Sequence, residues 1–214
     1  MKKMVLVLTL AAFALSGSAF AQDSNYQNNI GLYLTPGGYL DPGADDGTGS
    51  CGSVEANIPF IAFVVLSDLT NAEVWGWEAL FRPENMYFTN TNFYGTGFNA
   101  ATRENEVIVG LAEPLLAQDG AAVVAELTFL INFPTHDPAQ PSLVFIQGVY
   151  FSTIDPNSGP PAVLVAPGGP AVALHPALGS EPYEGPIPQL IINGDCDVVG
   201  VEDSSWGSLK SLYR

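Results

Sequence analysis

The sequence predicts an all-β sandwich, and three observations carry that prediction. Nine short runs rich in β-branched and aromatic residues are each bounded by Gly, Pro, Asn or Asp. Inside the longer runs apolar and polar residues alternate, the period of a strand with one buried face. The chain is 47% hydrophobic and 11% aromatic, too apolar for disorder in spite of a net charge of −16.

Taken in order, the chain opens with Lys2 and Lys3, an apolar run from Met4 to Leu15, and Ala19-Phe20-Ala21. This is the pattern of an export leader cleaved before Gln22, and its apolar run is too short to span a bilayer permanently. Residues 1–21 are therefore expected to be a signal peptide, 22–199 the sandwich and 200–214 a separate tail. No later stretch is long and apolar enough for a transmembrane anchor.

The expected strands are Ile30 to Thr35, Phe60 to Leu66, Val74 to Phe81, Met86 to Thr89, Glu106 to Leu111, Ala122 to Ile131, Leu143 to Phe151, Ala162 to Val165 and Gln189 to Ile192. Strict alternation puts Trp75, Trp77, Ala79 and Phe81 on one core face, and Val123, Ala125, Leu127, Phe129 and Ile131 on another. Between strands, 35–53 and 155–188 are rich in Gly and Pro and are expected to be long loops without a regular ladder. At the end, Ser204 or Ser205 can cap a short helix with Trp206, Leu209, Leu212 and Tyr213 on one side, a surface for docking on the sandwich or for sorting machinery.

Charge and cysteines narrow the function. Without the leader, the basic residues are Arg82, Arg103, Lys210 and Arg214, against 22 acidic ones, so a nucleic-acid partner is not expected. Cys51 and Cys196 form an even pair in an exported chain and are expected to join in one disulfide. That bridge would bring Asp41, Asp45 and Asp46 toward Asp195 and Asp197, an oxygen-rich set that could hold a structural Ca²⁺; solvated acidic loops are the alternative. No other cofactor is indicated.

Gly47-Thr48-Gly49-Ser50-Cys51-Gly52 matches G-x-G-x-x-G in form but lies in a loop rather than in a βαβ unit, so it does not indicate a dinucleotide site. His136 and His175 stand in proline-rich segments, with no nucleophile, base and orienter to be named together, and an enzyme is not expected. Tyr87, Phe93, Tyr94 and Phe98, in an Asn- and Gly-rich segment, are the candidate exposed aromatic patch.

Two stretches carry a family resemblance: Gly76-Trp77-Glu78-Ala79-Leu80-Phe81-Arg82-Pro83, a strand running into a Pro turn, and Gly120-Ala121-Ala122-Val123-Val124-Ala125-Glu126-Leu127-Thr128-Phe129. In order of elements, the region from Val54 to Tyr150 resembles the cohesin-like and carbohydrate-binding-module-like sandwiches of secreted bacterial proteins. The tail, Trp206 to Arg214, is similar to a recurrent ending of uncharacterised secreted bacterial proteins. The resemblance implies a jelly-roll sandwich of about nine strands and a non-enzymatic binding or surface-assembly role, with a protein or glycan partner at the cell surface. A carbohydrate-binding module is the second reading and an extracellular hydrolase the third.

Overall fold

The computed structural model describes residues 27–40, 49–132, 137, 140–155, 159–178 and 187–194. These build two stacked β-sheets with a shared apolar interior. The leader 1–21, the tail 200–214, His136, Cys196 and all five aspartates of the expected ion site lie outside the described residues.

The first sheet contains β1 (Asn29–Tyr33), β3 (Phe60–Ser67), β5 (Tyr87–Phe93), β8 (Ala122–Leu130) and β12 (His175–Pro176). Its order is β12-β1-β3-β8-β5. The second sheet is built around β4 (Glu73–Glu84), the longest strand. One edge of β4 carries β7 (Glu106–Leu116) and, beyond it, β6 (Gly97–Asn99). The other edge carries both β9 (Ser142–Gln147) and β10 (Ala162–Leu164), followed by β13 (Leu190–Ile192) with β2 (Cys51–Gly52), and by β11 (Ala171–Ala173).

Register explains that edge. Gln147 of β9 lies opposite Leu80, and Ala162 of β10 lies opposite Glu78, both antiparallel to β4. Leu80 also faces Glu106 of β7, so β9 and β10 share the far edge of β4. They form one interrupted strand, with 148–161 as an excursion between its halves. The expected strand Leu143 to Phe151 therefore ends at Gln147.

The core is a relay of rings. From the first sheet, Phe60 stacks on Phe129 at 5.8 Å and Phe88 lies 5.6 Å from Phe129. Edge contacts then cross to the second sheet, from Phe88 to Phe81 at 6.5 Å and from Phe93 to Trp77 at 6.2 Å. Offset and edge-to-face geometry favours such pairs beyond the area they bury.

Three bulges or ladder irregularities redistribute side chains that strict alternation would place otherwise. In β8, Val64 pairs with Ala125 but Val65 with Val123, so Val124 is extra and turns into the core, while Val123 leaves it. In β4 the ladder breaks between Val74 and Gly76. Val74 and Trp77 then both belong to the core, and Trp75 is left half-buried, its indole N–H donating to Glu73. Opposite β5, the register shifts between Phe88 and Asn90, so Phe88 and Phe93, five positions apart, both reach the interior.

Nine of the thirteen described strands correspond to the expected runs, with ends moved by a few residues. The loops 35–53 and 155–188 hold short ladders after all. β2 lies parallel to β13, and Pro176 fits β12 because His175 and Ala177 donate to Asn28 and Ile30 while the proline nitrogen is not called on. All seven non-glycine residues with positive φ among those described are Asn or Asp, the types that tolerate the left-handed turn. Asp119-Gly120, both left-handed, close the β7–β8 hairpin with Gln118 and Ala121 bridged.

Candidate functional site

The outer face of the first sheet is laid out by cross-strand pairing. Thr128 stands between Ile61 and Asn90, Leu130 beside Tyr87, and Glu126 between Phe63 and Asn92. Ile61 and Tyr87 are 45% and 46% exposed, large apolar side chains on strands that no element among the described residues covers. Charge is scarce here. The carboxylate of Glu126 accepts from the Tyr94 hydroxyl and from Asn92 Nδ2, so both oxygens are engaged within the face. That hydrogen bond is the leading cause of the raised pKa of Tyr94, with desolvation and the Glu126 charge adding to it.

At the β1 end the same face is sealed. Tyr33, Val65 and Ala121 form a small buried cluster with Tyr39, Phe63, Val123 and Ala177 around it. The open part thus runs from Ile61 to Tyr87.

Of the expected aromatic patch, Tyr87 and Tyr94 lie on this face at opposite ends of β5, Tyr94 just past its end, about 23 Å apart at about 3.3 Å per residue. Phe93 turns inward against Trp77. Phe98 belongs to the other sheet, exposed on β6 opposite Gly110. The four do not form one surface, because the bulge in β5 and the Gly95 turn send the chain from one sheet to the other.

A second outward feature was not legible in the sequence. The excursion after β9 lies over the outer face of the second sheet, fastened by two buried carboxylates. Glu78 Oε1 accepts from Ser152 Oγ at 2.7 Å, Thr153 N at 2.9 Å and Thr153 Oγ1 at 3.0 Å. Glu106 Oε1 accepts from Tyr150 N at 3.0 Å. The loop's ends are pinched together: a Cβ on Gly148 would stand 1.6 Å from the Gly159 carbonyl oxygen. Held this way, Tyr150 and Phe151 project at 58% and 72% exposure, and the guanidinium of Arg103 lies 4.4 Å and 5.1 Å from their ring centres.

The signal that could have found it is the pair of glycines bracketing Tyr150 and Phe151. A glutamate at alternate positions of two neighbouring strands is the other half of it. Cys51 is buried in β2 with Ile191 of β13 opposite, and no described cysteine is free. Among the described residues no three His, Cys, Asp or Glu side chains gather as metal ligands, and no helix is long and apolar enough to cross a membrane.

No protein-family model matches this chain, and no curated protein matches it. Solved structures do. A cohesin module of a family 33 glycoside hydrolase from Clostridium perfringens is similar over 70% of this chain and 90% of its own, at 10% identity and a TM-score of 0.43. The sixth cohesin of scaffoldin B from Acetivibrio cellulolyticus, solved in complex with a dockerin, is similar over 79% of this chain and 100% of its own, at 9% identity and a TM-score of 0.47.

Proposed function

We propose that this chain is an exported, non-enzymatic module that binds a protein partner through the outer face of its five-stranded sheet. The observation that carries the reading is the pair Ile61 and Tyr87, open on rigid strands and framed by uncharged Thr128, Asn90 and Asn92. In a chain of net charge −16, a near-neutral flat face with apolar side chains suits a partner that offers its own apolar side chains amid amide and hydroxyl groups. The buried carboxylates Glu78 and Glu106 are occupied in holding a loop, which favours a structural use of acidic residues over an acid–base one.

A photo-crosslinking residue at Tyr87 tests the reading. In the envelope fraction of the producing organism it should trap one discrete protein adduct that is lost on Ile61→Asp. The same probe at Phe98, on the other sheet, should trap none. Equal labelling from both positions, or no adduct from Tyr87, overturns the assignment of the face.

The leader 1–21 would direct export, and a Cys51–Cys196 bridge would then lock β2 to the chain leaving β13. Two facts support the bridge: Cys51 is not a free thiol, and Ile191 opposite it lies only five residues before Cys196. The intact protein should be 2 Da lighter than its reduced form, and reduction should lower Tm. A Ca²⁺ held by Asp41, Asp45, Asp46, Asp195 and Asp197 would depend on that bridge. Its signature is a Tm raised by millimolar Ca²⁺ in the oxidised protein alone.

A further inference from the structure

We propose a second binding site on the opposite side of the molecule, built from Arg103, Tyr150 and Phe151, that takes a carboxylate-bearing sugar of an anionic glycan. Three observations converge on it. Both rings are more exposed than buried although Arg103 stands over them, so each keeps an open face. An open aromatic face matches the C–H face of a pyranose ring in size and polarity.

The guanidinium supplies the second element. Of the two described arginines, Arg82 is paired with Glu84 at 2.9 Å. Arg103 is exposed and makes no ion pair with any described carboxylate; its contacts are the two rings. Nearby, Glu106 is turned to the loop backbone, and Glu104 follows Arg103 on the exposed turn. An arginine held over aromatic rings keeps its N–H groups available in the fork geometry that receives a carboxylate bidentately.

Preorganisation is the third. The loop is tied at Tyr150, Ser152 and Thr153 to two buried carboxylates and closed by the Gly148–Gly159 contact, so the rings are placed before a ligand arrives. Arg103 leads the turn through Asn105, which is fixed by the Phe81 N–H on the Asn105 carbonyl. A uronic or sialic acid residue would stack its ring on Phe151 or Tyr150 and place its carboxylate on Arg103.

Calorimetric titration of the full chain with an oligogalacturonate, its methyl ester and a sialyllactose is the test. At least one acidic probe should bind, with the neutral ester or asialo form weaker by about tenfold, the loss of one charge-assisted pair. Arg103→Gln should weaken acidic binding about tenfold or more, and Phe151→Ala and Tyr150→Ala about fivefold each. These side chains are exposed, and unchanged melting curves would verify that the variants fold. Ile61→Asp should leave this binding intact, which separates it from the protein-binding face. Binding of no acidic probe tighter than about 10 mM, equal affinity for acid and ester, or indifference to Arg103→Gln overturns the proposal.

Discussion

Tyr33 is wholly buried, its ring lies over Gly31, and its hydroxyl makes no hydrogen bond among the described residues. Burial first, and then the charge of Asp68, push its pKa above the ordinary tyrosine range. The sign follows: above pH of about 10 the unfolded chain releases this proton and the folded chain keeps it, so stability is full below that pH and falls as pH climbs. The slope is about 1.4 kcal/mol per pH unit until the folded group itself ionises. Tyr33→Phe should flatten that decline in urea titrations between pH 9 and 11 and, by removing an unpaired buried hydroxyl, add about 1 kcal/mol at pH 7. Glu78 is the opposite case, a buried group with three donors on one oxygen. Glu78→Ala should cost about 2–4 kcal/mol by urea denaturation, and Glu78→Gln, which keeps an acceptor, less.

Single inserted residues decide which face each strand shows. Inserting one alanine between Phe88 and Thr89, the extra residue at the register shift in β5, should move Tyr87 and Phe88 to each other's faces and separate Phe88 from Phe81 and Phe129. The expected loss is about 3 kcal/mol or more, read as a lowered Tm. This sensitivity also marks what the sequence could reveal. Long runs such as 60–67 and 122–130 announce themselves by composition and period, so the sandwich and most of its strands are legible. An extra residue such as Val124 is not, because a bulge leaves composition unchanged and is fixed only by the partner strand. Two-residue ladders like β2 and β12 contain no period at all. The site was half legible: Tyr87 and Tyr94 share a face as an aromatic patch would, but Phe93 and Phe98 depart from it through tertiary geometry. Asn85 is a further test at this scale. Its side chain holds the carbonyls of Asp137 and Gln140 and the Asp137 N–H while its own φ is 59°, so Asn85→Ala should cost about 1–3 kcal/mol in a thermal melt.

For the molecule as a whole, a net charge of −16 faces few cations, and Arg82–Glu84 is the one ion pair among the described residues. Self-repulsion in the compact state should therefore be relieved by salt. Tm should rise between about 10 and 150 mM NaCl, over which the screening length falls from roughly 30 to 8 Å. A fall would mean that attractive surface pairs dominate instead. The interior is held by rings and aliphatic side chains that screening does not touch, so the change reads the surface alone.

The interrupted strand formed by β9 and β10 separates framework from display. The chain leaves the edge of β4 at Leu80 and rejoins it at Glu78, so what happens in between need not alter the ladder on either side. The register of the sandwich on either side does not depend on which side chains the detour exposes, provided its donors to Glu78 and Glu106 remain. Drift at the exposed Tyr150 and Phe151 would retune recognition while Ser152, Thr153 and the two glycines keep the buried carboxylates satisfied, which makes the detour's exposed tip the natural place for this architecture to acquire new ligands.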